Sequence, residues 1–269
     1  MPFFRRPFDP AHPPVVLVTG AANGIGRATA RALVRHGFRV GLVDRDAELL
    51  GTAVDEFSRE GTAVAARAAD VRDSDALKSA VAAIEAELGP TDVLVACAGV
   101  GWLSTATQLD LEGLRQMFEV NVVGVARAIE AVAPGMFARG AGHIVGISSV
   151  AGYRGMPWMP GYSASKAALT TYLEGLRPAF KKRGVRITTV YPGFVRTGMT
   201  VQTPFRRPVP MLEPDQAARY IAQAVIRRPR DFVFPLSTAI GMGLIRRMPC
   251  FLYDLMMDQA GPNALTTEF

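Results

Sequence analysis

Hydrophobic positions fall into two alternating rhythms from Val15 onward. Short apolar runs, "VVLVTG" (15–20), "FRVGLVD" (38–44), "TAVAARAAD" (62–70), "DVLVACAG" (92–99), "HIVGISS" (143–149), "VRITTVYPG" (185–193) and "DFVFP" (231–235), read as strands. Continuous apolar runs are what strands covered on both faces require. Between them, Ile25, Ala28, Ala32 and Leu33 recur at helical spacing before Gly37, and Leu77, Val81, Ile84 and Leu88 do so later. Helical patterns also cover 110–138, 160–183 and 213–228, and His36 closes the first helix. Strands alternating with helices of this length predict an α/β fold: a doubly wound parallel β-sheet of Rossmann type with helices on both faces. No linker, repeat or low-complexity tract divides the 269 residues, so a single domain is expected over 15–235. An irregular N-terminal arm (1–14) precedes it, and an apolar C-terminal extension (236–269) follows.

Composition narrows the class. With 49% hydrophobic and 20% charged residues the chain fits a globular protein with a sizeable core. Against 24 Asp+Glu stand 30 Lys+Arg, giving a net charge of +6, with much of the excess late in the chain at Arg206, Arg207, Arg227, Arg228, Arg230, Arg246 and Arg247. No basic stripe is interleaved with aromatics, which argues against a nucleic-acid partner. Cys97 and Cys250 cannot build a disulfide framework and suit a reducing compartment. His12, His36 and His143 lie far apart, with no cysteine or carboxylate at ligand spacing, so no metal site is expected. The N-terminus has a basic pair but no apolar core of signal-peptide length, and a cytoplasmic location is expected.

Two short stretches carry chemistry. "TGAANGIG" (19–26) joins the first strand to the first helix. Gly20 allows a tight turn, Gly24 lets a pyrophosphate approach the backbone, and Gly26 lets helix and sheet pack closely. The free N–H groups at the helix start would hold phosphates. Asp44 ends the second strand, where a carboxylate accepts from both hydroxyls of an adenine ribose and repels a 2′-phosphate, favouring NAD. Arg45 pulls the other way, because a guanidinium beside the ribose could pair with that phosphate and leaves NADP open. No Lys or Arg stands in the glycine turn, where Asn23 sits. In "YSASK" (162–166), Tyr162 and Lys166 are one helical turn apart and share a face.

Together these residues resemble the short-chain dehydrogenase/reductases in their single-domain form. The resemblance covers about 15–235 and rests on the order of several motifs: TGxxxGxG at 19–26, Asp70–Val71, Ala98–Gly99, Asn121 in "NVVG", Ser149, Tyr162 with Lys166, and "YPGFVRT" at 191–197. It implies that Gly20, Asn23, Gly24, Ile25 and Gly26 cradle the coenzyme, that Asp70 and Val71 flank its adenine, and that Ala98 and Gly99 line its path. Pro192, Gly193, Val195 and Thr197 would bracket the nicotinamide. The family usually carries Asn where this chain has Cys97, which puts one hydrogen bond supporting the central sheet and the cofactor loop in question.

The residues support reversible carbonyl reduction. Tyr is a poor acid–base group at its free pKa of about 10, and a neighbouring cation such as Lys166 would lower it. Lys166 would also reach the nicotinamide ribose. Ser149, assigned over Ser148 on the family spacing, would hold the substrate oxygen as charge develops there. On the family pattern Asn121 supports a water linking Lys166 to solvent. The loop "YRGMPWMPG" (153–161), with Met156, Trp158 and Met159, is expected to line the substrate pocket, and Tyr153 is a rival phenol without a lysine at i+4.

The expected activity is hydride transfer between a nicotinamide cofactor and a carbonyl or secondary alcohol, with a hydrophobic small-molecule alcohol or ketone as substrate. Two alternatives stand beside it: an NADPH-dependent ketoreductase, for example on 3-oxoacyl groups, and a non-catalytic dinucleotide-binding regulatory protein. The family resemblance implies a homodimer or homotetramer. The C-terminal run "LSTAIGMGLIRRMPCFLYDLMM" (236–257) is more apolar than a solvated tail. Its uncharged part is too short for a spanning helix of about 20 residues. It reads as a substrate lid or subunit interface, as a peripheral membrane contact with arginines toward anionic headgroups, or as ordinary core.

Overall fold

The computed structural model describes residues 12–60, 63–104, 109–198 and 210–260. Most of the expected N-terminal arm, Thr62 at the start of the third predicted strand, Arg206 and Arg207 lie outside the described residues. Seven strands form one parallel sheet in the order β3-β2-β1-β4-β5-β6-β7. They are β1 (Val15–Thr19), β2 (Arg39–Asp44), β3 (Val64–Ala68), β4 (Thr91–Ala96), β5 (Gly142–Ile147), β6 (Val185–Pro192) and β7 (Asp231–Phe234). The connecting helices are α1 (Gly24–Arg35), α2 (Ala47–Ser58), α3 (Ser74–Leu88), α4 (Leu111–Phe118), α5 (Val125–Arg139), α6 (Pro160–Lys182) and α7 (Pro214–Arg227). Two further helices, α8 (Leu236–Arg247) and α9 (Cys250–Ala260), follow the last strand.

Alternation along β1 explains the two layers. Val16 and Val18 enter one core with Leu33 of α1, Phe57 of α2 and Ile221 of α7. Val15 and Leu17 enter the other with Leu77 and Ile84 of α3, Ile129 of α5 and Leu173 of α6. Every residue of β1 is fully buried, which is why its sequence reads as one apolar run. Each such buried side chain contributes about 1.5–3 kcal/mol relative to exposure.

The structure adds and trims elements. Helix α2 was not among the predicted elements, although Leu50, Ala53 and Phe57 are its buried face and Asp46 caps it by accepting from Leu49 N. The fourth and fifth strands end at Ala96 and Ile147, so Cys97, Gly99, Ser148 and Ser149 stand just beyond the strand ends. The long helix over 110–138 is α4 and α5 joined through a wider π-helical stretch, Glu119–Gly124. By length and composition this 111–139 helix, alone among the described residues, could cross a membrane. Half of its apolar window is buried, however, and α5 packs on β4 and β5 as a core helix.

The first strand leads to α1 and the first crossover goes to β2, whereas β4 lies on the other side of β1. That reversal opens a crevice at the carboxyl ends of β1 and β4, where ligands of open α/β sheets bind.

Candidate active site

A cavity of about 430 Å³ occupies that crevice. Eighteen of the residues singled out by sequence line it: Gly20, Asn23, Gly24, Ile25, Gly26, Asp44, Arg45, Asp70, Val71, Ala98, Gly99, Ser149, Tyr162, Lys166, Pro192, Gly193, Val195 and Thr197. Cys97, Trp102 and Ser148 line it too. Asn121 does not, and is fully buried behind it.

The glycine turn is shaped by close backbone approach. Gly20 has φ +70°, and a Cβ there would lie 2.7 Å from the Ala98 backbone. A Cβ on Gly26 would fall 1.9 Å from the Gly20 carbonyl oxygen, closer than any side chain permits. The turn therefore sits directly on the loop after β4. Helix α1 starts here with Asn23 making no side-chain cap and with no acidic residue in its first turn. By contrast α2, α3 and α4 are each capped by an aspartate, Asp46, Asp73 and Asp110. The uncapped N–H groups and the positive dipole end of α1 face a cavity, which suits a pyrophosphate.

The far end of the cavity carries charges of both signs. Asp44 accepts from Ala22 N at 3.0 Å and Asp46 N at 3.2 Å, tying the strand end to the glycine turn. Asp70 accepts from the Arg72 guanidinium and from Arg72 N, and these bonds hold its carboxyl below the usual range despite partial burial. Arg72 is thereby engaged, while Arg45 is exposed and adds to the field at Asp70.

At the opposite end, α6 presents Tyr162 and Lys166 on one face, as their spacing requires. Lys166 is 4% exposed and donates to the Ile147 carbonyl at 2.9 Å. Burial brings its pKa down to about 8. Tyr162 is pushed up to about 12 by burial, with a hydrogen bond to Ser149 opposing the rise. The sequence expectation of a phenol lowered by Lys166 is thus not met: desolvation disfavours both charged forms, and the ammonium is spent on a backbone carbonyl. Ser149 has extended backbone, and its Oγ also accepts from Ala151 N at 3.1 Å. Ser148 turns away, its Oγ donating to the Lys166 carbonyl and meeting Thr170 Oγ1 at 2.9 Å.

Asn121 sits in the π-helical stretch, where its side chain clamps the loop after β4. Its Oδ1 accepts from Val100 N at 2.8 Å, and its Nδ2 donates to Val100 O and to Ser165 Oγ, both at 2.9 Å. A Cβ on Gly99 would lie 3.2 Å from Asn121 Oδ1 and 3.4 Å from Lys166 Nζ, so the bare glycine leaves a small gap between them. Cys97, where the family carries Asn, makes a thiol wall whose pKa burial pushes up to about 12.

The loop 153–161 departs from its expected role. Met156, Trp158 and Met159 are buried in a small cluster with Ala151, against which Tyr162, Phe194 and Met257 pack. They back Tyr162 rather than line the cavity. Tyr153 instead lies 5.2 Å from the Tyr191 ring, with the Arg246 guanidinium 5.3 Å over its own. The methionine of α9 is a contact the sequence reading missed, and no spacing signal pointed to it.

A family model described as short chain dehydrogenase matches residues 14–206. An uncharacterized oxidoreductase of Myxococcus xanthus is 38% identical over 238 residues, 88% of this chain and 94% of its own length. Galactitol 2-dehydrogenase (L-tagatose-forming) of Cereibacter sphaeroides is 40% identical over 69% of this chain and 72% of its own. Among solved structures, a variant of actinorhodin polyketide ketoreductase with NADPH aligns with TM-score 0.75 and 29% identity, covering 82% of this chain and 95% of that one. The chain belongs to the short-chain dehydrogenase family and is an NAD(P)-dependent oxidoreductase.

Proposed function

We propose that the protein interconverts a secondary alcohol and a ketone with NAD as the preferred coenzyme. One observation carries the reading: Ser149 is hydrogen-bonded to Tyr162, with Lys166 one helical turn on, in the same cavity as the uncapped start of α1. Gly20 to Gly26 would hold the pyrophosphate, Asp44 the adenine ribose, and Pro192, Gly193, Val195 and Thr197 the nicotinamide end. The bound coenzyme supplies or accepts the hydride.

The remaining work falls to the chain. Ser149 Oγ donates to the substrate oxygen and fixes it beside the phenol. Tyr162 gives its proton to that oxygen in reduction and takes it back in oxidation. Lys166, held by the Ile147 carbonyl, keeps an ammonium under the phenol and orients the ribose. Asn121 holds the loop after β4 through Val100 and so fixes the cavity wall beside Lys166. Its expected water relay to Lys166 remains part of this proposal. NAD is favoured because Asp44, in the cavity lining at the end of β2, would accept from the adenine-ribose hydroxyls and repel a 2′-phosphate, whereas Asp70 is already paired with Arg72.

The outer face of α8 and α9 exposes Leu236, Ile240, Leu244, Phe251, Leu252 and Leu255. Leu236, Ile240 and Leu244 form one row at i, i+4 and i+8, which supports the expected homo-oligomer over an ordinary core role.

The test is a coenzyme-coupled screen of secondary alcohols and ketones with NAD and with NADP, run beside Tyr162→Phe. Turnover with NAD that Tyr162→Phe abolishes is expected. A clear NADP preference would overturn the coenzyme assignment. Binding without turnover across the panel would favour the regulatory alternative.

A further inference from the structure

Two segments outside the dinucleotide cavity are tied together behind Tyr162. One is residues 150–159, between β5 and α6; the other is the α8–α9 hairpin. The Arg154 guanidinium donates to the Ile245 carbonyl at 3.2 Å and to the Met248 carbonyl, where α8 ends, and reaches Cys250 Sγ at 3.4 Å. It also stands 4.3 Å over the Tyr253 ring, and the Tyr253 hydroxyl donates back to the Gly155 carbonyl. Each segment thus satisfies the other's backbone. The last carbonyls of a helix have no partner inside it, and the planar fork of arginine can serve two acceptors at once.

This clasp has consequences at the catalytic end. Met156, Trp158 and Met159 are 8%, 5% and 6% exposed, and both Tyr162 and Met257 of α9 pack on them. The hairpin also meets the segment after β6, since a Cβ on Gly193 would come within 3.0 Å of the Thr238 side chain in α8. Both segments that lead from strand ends toward the substrate end of the cavity therefore rest on one hairpin.

We propose that the α8–α9 hairpin braces the catalytic end of the cleft through the Arg154–Tyr253 clasp, and that these two are positioning residues for the apolar cluster that backs Tyr162. This rests on the alcohol–ketone reading of the same site.

The test uses the full chain and secondary alcohols, with NAD and NADP. In Arg154→Met and in Tyr253→Phe, kcat falls by about tenfold for every alcohol turned over, while KM for the coenzyme changes by less than about threefold. Arg247→Ala, an exposed neighbour on the same hairpin, keeps the wild-type kcat. An unchanged kcat in both clasp variants, or an equal loss in Arg247→Ala, would overturn the proposal. Hydrogen exchange gives a readout free of turnover. Joint loss of protection in 150–159 and α9 in Arg154→Met supports the clasp, and loss in α9 alone sinks it. If wild-type protein turns over nothing in the panel, the alcohol–ketone reading fails, and exchange still decides the clasp.

Discussion

The Lys166 ammonium stands 5.7 Å from the centroid of the Tyr162 ring and donates to the Ile147 carbonyl rather than to the phenol. The two groups share a face of α6, and burial drives their pKa values apart, to about 8 for Lys166 and about 12 for Tyr162. The lysine is costly to keep charged in this position.

Lys166→Met separates function from stability. Below pH 8 the folded chain bears the cost of a buried ammonium, which the unfolded chain, with lysine at its ordinary value of 10.5, does not. Removing it relieves at most about 3 kcal/mol, offset by about 1 kcal/mol for the orphaned Ile147 carbonyl. Thermal melting at pH 7 should show a Tm no lower than wild type, with turnover reduced at least about 100-fold. For wild type, stability contributed through Lys166 rises from about pH 8 to 10.5, because the unfolded state holds the proton over that window.

The direction of the Tyr162 shift fixes the pH profile. With the phenol protonated well past neutrality, kcat/KM for ketone reduction should stay flat from pH 6 to about 7, since the free enzyme keeps its proton donor, and should change only near pH 8, where Lys166 loses its charge. Alcohol oxidation, which needs the deprotonated phenol, should climb across the same range. A reduction limb that falls between pH 6 and 7, below the range where Lys166 titrates, would contradict a raised Tyr162.

Asp44→Ala should move coenzyme preference toward NADP. Removing this carboxylate, which in the proposed binding mode accepts from the adenine ribose, leaves the neighbouring Arg45 able to pair with a 2′-phosphate. The ratio of kcat/KM values for NADP over NAD should rise by about tenfold or more, a difference of about 1.4 kcal/mol.

Gly26→Ala should weaken coenzyme binding. Its methyl would meet the Gly20 carbonyl oxygen at 1.9 Å, so the glycine turn must open. Overpacking of this kind costs about 1–3 kcal/mol, and calorimetric titration with NAD should show affinity lowered by about tenfold or more. Gly175→Ala, with open space around its Cβ position in α6, serves as the control.

Acid sensitivity should trace to His143. Fully buried on β5, with Nε2 2.9 Å from Thr188 Oγ1, it is pushed down to about 3 by burial and by Arg228 and Arg186. Between pH 6.5 and 3 the unfolded chain takes up a proton that the folded chain refuses, so stability falls as pH falls. Urea unfolding should show His143→Gln losing about 2 kcal/mol less than wild type between pH 7 and 5.

Much of this fold was legible because local and tertiary preferences agree. Strands buried on both faces had to be apolar throughout, and glycines at 20 and 26 had to lack Cβ atoms, so the sheet, the turn and the spacing of Tyr162 and Lys166 stood in the sequence. Helix α2 escaped because its buried face is only Leu50, Ala53 and Phe57, among residues that solvent would also accept. What the sequence could not decide depends on contacts between distant segments. The ionisation of Tyr162 and Lys166 follows from how deeply α6 is buried against β5, not from their spacing. Asn121 became a clamp on Val100 because the π-helical stretch brings it behind β4. The C-terminal extension became a brace because Arg154, far upstream, meets the end of α8, a juxtaposition that no local pattern encodes.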